Sequence, residues 1–171
     1  MRTAIVIAAT IAVALAVFGC AKKKVEEPTA ETVAPAMTVD DAKGRLAAVL
    51  EEVDSLRGGA EGKKPTAELA QAFKDDVAKL EELHGELKEI EAPEAEAAAY
   101  AEVTAKVEAA VEAVNGLAKM AEEAMAEKPA MTKKETEELN NTAKAKFLEA
   151  CEYAAPDIAA KLKPPAEEPP K

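Results

Sequence analysis

The sequence predicts an all-α protein folded as an antiparallel up-and-down four-helix bundle, and three observations carry that expectation. Alanine and other strong helix formers dominate a chain of 171 residues with only 7 Gly and 3% aromatic residues, while the β-branched and aromatic enrichment of strands is missing. Apolar side chains recur in alternating steps of three and four through four successive segments, the spacing that gathers them on one helical face. Residues that cap helices, Thr, Gly and Pro, stand at the boundaries of those segments. Short links between amphipathic helices favour antiparallel neighbours.

The N-terminal segment is of another kind. Met1-Arg2-Thr3 is followed by an apolar run over residues 4–18, then Gly19-Cys20 and the basic Lys22-Lys23-Lys24. This is the pattern of a positive leader followed by an apolar export signal. A run of about 15 residues is shorter than the ~20 that a helix needs to cross the hydrocarbon core. Val17-Phe18-Gly19-Cys20 resembles the bacterial lipobox, with an aliphatic residue at −3 and a small residue at −1 before the cysteine; Phe18 departs from the small or aliphatic residue usual at −2. The resemblance implies cleavage after residue 19, acylation of Cys20 and an exported, membrane-anchored lipoprotein. Ala21 is similar to the residue that follows the cysteine in lipoproteins sent to the outer membrane, which implies the periplasmic face of that membrane. Triacylation would anchor the chain firmly, since each buried CH₂ contributes ~0.8 kcal/mol.

Residues 20–37 then read as the lipidated cysteine and a flexible tether of Lys, Glu, Pro, Thr and Ala, and residues 38–155 as the bundle. Thr38 is a helix cap with Asp41 three residues on, a variant of the capping box, and Val39, Ala42, Leu46, Val49, Val53 and Leu56 form the first stripe, ended by Gly58-Gly59. Thr66 caps the second helix, whose stripe is Leu69, Phe73, Val77, Leu80, Leu83, Leu87 and Ile90, closed by Pro93. Pro93-Glu94 suits the first turn of a third helix, running on Tyr100, Val103, Val107, Val111, Val114, Leu117 and Met125 to a stop at Lys128-Pro129. Thr132 and Glu135 make a capping box for the fourth, with Thr136, Leu139, Ala143, Phe147, Ala150 and Cys151 on one face. Residues 156–171 read as a disordered, Pro-rich acidic tail. A core of Ala, Val and Leu with few rings buries little area per residue, so modest stability is expected.

Charge excludes one large class of function. The chain carries 33 acidic and 22 basic residues, a net charge of −11, which opposes binding to the phosphate backbone of nucleic acids. No Gly-rich phosphate loop, Ser elbow or paired-Cys metal motif is present, and the single His excludes the usual di-iron site despite the Glu81-x-x-His84 spacing. The acidic pairs Glu51-Glu52, Glu81-Glu82, Glu122-Glu123 and Glu137-Glu138 fall opposite the apolar stripes and read as solvated faces. Met120, Met125 and Met131 read as core or cap residues. Once Cys20 is acylated, Cys151 is the only thiol left in the chain, and burial is the expected fate.

An up-and-down bundle would bring Met37, His84, Tyr100, Cys151 and Tyr153 to or near one end. That arrangement is similar to the exported four-helix cytochromes, the small b-type cytochrome and cytochrome c-prime, over residues 37–155. The resemblance implies haem or a transition metal at that end, with Met37, His84 and Cys151 as candidate ligands. The chain lacks Cys-x-x-Cys-His, and Leu148 or Glu152 stands where a haem-ligating His would be needed. Terminal Lys171 is similar to the peptidoglycan-linked Lys of the major outer-membrane lipoprotein, implying a tether to the wall. The leading expectation is a non-enzymatic, lipid-anchored helical module of the bacterial envelope with no cofactor. It would bind the membrane through its anchor, and another envelope protein or peptidoglycan through its helices or tail.

Overall fold

Five α-helices follow one another along the chain: α1 Val39–Ala60, α2 Ala67–Glu89, α3 Ala97–Met125, α4 Lys133–Ala154 and α5 Pro156–Leu162. The computed structural model describes residues 37–163; the expected export signal, Cys20, nearly all of the expected tether and the end of the expected Pro-rich tail lie outside the described residues. No strand occurs among the described residues, so the protein is all-α there. None of its described helices is long and apolar enough to cross a membrane.

Local chemistry places most of the helix starts where the sequence put them. Thr38 accepts a hydrogen bond from the Asp41 amide at 3.1 Å while the Asp41 carboxylate accepts from the Thr38 amide at 3.2 Å, a complete capping box. Thr132 and Glu135 repeat it at the start of α4, and the Thr66 hydroxyl caps α2 by accepting from Leu69 N–H at 3.2 Å. These hydrogen bonds hold Asp41 and Glu135 below the usual carboxylate range.

Three boundaries differ from expectation. Helix α1 runs through Gly58-Gly59 to Ala60, and Gly62 beyond it takes the left-handed backbone, with φ 72°. Its last turn is therefore built on residues that each weaken a helix by about 1 kcal/mol relative to Ala. Helix α2 ends at Glu89, before Pro93, because residues 90–92 leave the helix first. Helix α3 starts at Ala97 rather than at Pro93-Glu94; those residues form a preceding turn in which Glu96 N–H donates to the Pro93 carbonyl at 2.9 Å.

The expected tail is corrected at its start. Residues 156–162 are helical and packed: Pro156 takes the first helical position, where its missing N–H is no loss, and Ile158 and Ala159 are buried. A hydrophobic pair one turn into a Pro-started segment was enough to bring it back onto α4. The ion pair of Lys163 with Glu152, at 2.8 Å, marks the return.

Helix α3 is the hub. It packs extensively on α2 and α4 and also touches α1, so its buried set extends beyond the large-residue stripe to Ala109, Ala110, Ala113, Gly116, Ala118 and Ala121. A helix surrounded on several sides needs small side chains to let its neighbours approach. A Cβ placed on Gly116 would lie 3.1 Å from the Ala143 Cβ of α4. Met125, placed on the apolar stripe by its spacing, is instead exposed at 38%. Cross-helix ion pairs fix the relative positions: Arg45 of α1 with Glu86 of α2, Lys79 with Glu52, Lys74 of α2 with Glu122 of α3, Lys106 of α3 with Glu149 of α4 and Lys146 with Glu112. The acidic pairs largely face solvent as expected, except that Glu123 is partly buried and accepts hydrogen bonds from the Ala130 and Met131 amides at 2.8 and 3.3 Å. That carboxylate ties down the link between α3 and α4.

Candidate functional site

The start of α1, the end of α2 and the start of α3 meet at one end of the molecule. Met37 is buried there, although the sequence left it at the edge of the tether, because its carbonyl accepts a 2.7 Å hydrogen bond from the buried Tyr100 hydroxyl. Its sulfur faces the Arg45 guanidinium at 3.5 Å, and Arg45 also holds Glu86 through both carboxylate oxygens. Burial pushes the Tyr100 hydroxyl above its ordinary pKa, with Glu96 and Asp41 adding to the effect. Tyr153, at the end of α4, comes to the same end in space: the Lys43 ammonium of α1 lies 4.9 Å from its ring centre, and burial, then Glu102 of α3 and Asp40 of α1, push its hydroxyl pKa up.

Of the residues the sequence gathered at this end, the structure links Met37 and Tyr100 by a hydrogen bond and brings Tyr153 beside the starts of α1 and α3. Cys151 is fully buried and its thiol is pushed up to about 12, by desolvation first. The charged side chains that act on it are Asp54 and Arg57, in the second half of α1, away from Met37. Such a thiol stays protonated and is a poor nucleophile or metal ligand. His84 is half-buried, with Nε2 out of solvent and without a hydrogen-bond partner. No group of three or more His, Cys, Asp or Glu side chains among the described residues is arranged to hold a metal ion.

Asp76 is the residue that sequence reasoning missed. It sits in the middle of α2 within an otherwise apolar face and is 1% exposed. One carboxylate oxygen accepts from Lys79 Nζ at 2.8 Å, and Lys79 also reaches Glu52 of α1 at 2.5 Å. The other oxygen has no partner. Desolvation raises the Asp76 pKa, opposed by the Lys79 hydrogen bond and reinforced by Glu52; the two carboxylates in turn raise that of Lys79. The signal was present at one remove: an acid replaces an apolar residue at the step between Phe73 and Leu80, with Lys three residues later. Chemically, the trio is a charge clamp between α1 and α2, with Lys79 bridging Asp76 on its own helix and Glu52 on the neighbour.

The opposite end is open. A cavity of about 560 Å³ lies where the end of α1, the start of α2, the end of α3 and the tip of α5 meet, with Phe73, Leu117 and Ala121 at its base and Arg57, Asp54 and Lys161 among its polar lining. A second, of about 370 Å³, lies between α1, α4 and α5 and shares Arg57 and Leu162 with the first. A third, about 460 Å³, lies between the end of α1 and the start of α2. Concave space of this size is what ligand sites require, and here it gathers at the end where the sequence placed no candidate residue. Comparison with protein-family models, with curated proteins and with solved structures found no match to this chain.

Proposed function

We propose that the protein is a lipid-anchored, non-enzymatic helical module of the bacterial envelope, held through Cys20 and acting by binding. The observation that carries this reading is the coincidence, at Val17-Phe18-Gly19-Cys20, of an aliphatic residue, a small residue and a cysteine with the end of the apolar run. A net charge of −11 supports a covalent lipid rather than surface charge as the means of attachment to an anionic bilayer. The periplasmic face of the outer membrane is the location we infer, from Ala21.

We infer further that the helices form an up-and-down bundle of α1 to α4, with α5 as an added strap. Supporting it, the numbers of paired residues rise along one helix and fall along the next: Arg45 with Glu86 and Glu52 with Lys79, Lys106 with Glu149 and Glu112 with Lys146. Apart from Asp76, the charged residues of the described helices lie at or near the surface.

The test is metabolic labelling with an alkyne-bearing fatty acid in a bacterial host, followed by membrane fractionation. The wild-type chain is expected to carry label and sediment with membranes, and Cys20→Ala to lose the label. Label that persists on Cys20→Ala overturns the anchor.

A further inference from the structure

Of the two cavities that share Arg57 and Leu162, the smaller differs in charge from the rest of this acidic chain. Arg57, Lys144, Ala145, Phe147, Leu148 and Leu162 line the smaller one, and no acidic side chain is among them. In a protein with 33 acidic against 22 basic residues, a groove lined by two cations and apolar carbon is a local reversal of sign. Neither cation is spent on an ion pair among the described residues, where the other cross-helix cations Arg45, Lys74, Lys79, Lys106 and Lys146 each hold a carboxylate. The Arg57 guanidinium lies 5.0 Å from the centre of the Phe147 ring, a cation–π contact that leaves its N–H groups without a carboxylate partner among the described residues.

We propose that the groove between α1, α4 and α5 binds an amphiphilic anion: a carboxylate, sulfonate or phosphate-monoester head on Arg57 and Lys144, with an apolar body along Leu148 and Leu162. A planar guanidinium beside an ammonium suits an oxyanion, and the low-dielectric wall of Phe147, Leu148 and Leu162 strengthens that attraction. Arg57 and Leu162 line both this groove and the larger cavity, so the two adjoin, and Phe73 and Leu117 lie on the far side of that shared wall. The acids Asp54 and Glu61 line only the larger cavity, which places the head on the α4 side and the body toward the core. The site stands on these residues alone and is independent of the anchor at Cys20.

The chain has no Trp, so extrinsic fluorescence reads cleanly. Anilinonaphthalene sulfonate, an aromatic body with one anionic head, is titrated into the full chain beside phenylnaphthylamine, the same body without the charge. Saturable binding of one sulfonate probe per chain is expected, at least about tenfold tighter than the neutral probe. Arg57→Gln with Lys144→Gln is expected to weaken the sulfonate probe about tenfold, the loss typical of a charge-assisted pair, and to leave the neutral probe unchanged. Lys144→Gln alone, on an exposed side chain, gives a smaller loss in the same direction without touching the contact of Arg57 with Phe147. Lys133→Gln with Lys134→Gln, remote from the groove, changes neither probe. Equal affinity for the two probes, or a sulfonate affinity untouched by the Arg57 and Lys144 changes, overturns the anion site. Displacement of the probe by inorganic phosphate at matching concentration overturns the amphiphile and leaves a site for the bare anion.

Discussion

At one end of the molecule, the Tyr100 hydroxyl reaches from α3 to the Met37 carbonyl, Arg45 clasps Glu86, and a capping box starts α1. At the other, α1 finishes on Gly58 and Gly59, the link to α2 turns through a left-handed Gly62, and three cavities open between the helices. The helices and the amino acids are of the same kind at both ends. The difference lies chiefly in α1: the open end keeps the Lys74–Glu122 pair between α2 and α3, but among the described residues α1 makes no ion pair to a neighbouring helix beyond Glu52, so its last turns are less firmly pinned. A closed end supplies rigidity; an open end supplies space for a ligand, the more so because α5 occupies part of the gap beside α4 and leaves grooves on either side of Leu162.

That contrast is broken most directly by matched truncations. Leu46, fully buried among the first turns of α1, is expected to cost about 3 kcal/mol as Leu46→Ala, because removal leaves a cavity that its neighbours cannot fill. Leu69, which already borders two of the cavities, is expected to cost about 1 kcal/mol as Leu69→Ala. Urea unfolding followed by circular dichroism measures both, and equal losses would remove the distinction between the ends. Between them, Gly116→Val is expected to cost about 2 kcal/mol, since the added carbons meet the Ala143 Cβ, which has no rotamer with which to yield. A neutral result would mean that α4 can lift from α3 and that the loose region extends to mid-helix.

Asp76 tests the clamp between α1 and α2 through pH. Burial raises its folded pKa above the unfolded value of 3.8, so the ionised form is disfavoured in the fold at neutral pH. That penalty is relieved as pH falls through the raised folded value and is gone below 3.8. Asp76→Asn, which mimics the protonated acid while Lys79 keeps Glu52, is therefore expected to be more stable than wild type at pH 7 and level with it at about pH 3. Asp41, Glu86 and Glu135, held below their usual range by hydrogen bonds, work in the opposite sense, contributing stability above their unfolded values and losing it as pH falls. A variant less stable at neutral pH would show that the Lys79 hydrogen bond outweighs desolvation. The smallest effect is kinetic: in a Cys20→Ser chain, Cys151 should react with a thiol reagent only as fast as the protein opens, and immediately in urea. Fast labelling of the folded chain would show that the open end admits solvent as far as α4.

The helices and most of their starts were legible because capping boxes and apolar periodicity are local: Thr38 with Asp41, Thr66, and Thr132 with Glu135 name their own positions. Glycine was less informative, since Gly58 and Gly59 adopt helical backbone and only Gly62 needs the left-handed region. Pro156 was read as the start of a tail because two buried residues, Ile158 and Ala159, are too few to make a periodic signal. The candidate site was harder still. Met37 and Tyr100 were placed together correctly, by topology, but nothing in the sequence marks Arg57 and Lys144, more than eighty positions apart, as lining one groove between α1 and α4.

What the sequence determined by itself was therefore helical content, the faces of the helices and the charge they show to water, because those follow from residue spacing within a few turns. The tertiary structure alone decided that α3 is the central helix, that Asp76 is buried while Met125 is exposed, and that the cavities lie at the end opposite the expected cluster. Burial and concavity depend on which neighbours cover a face, and that is settled by how whole helices pack rather than by any stretch of sequence.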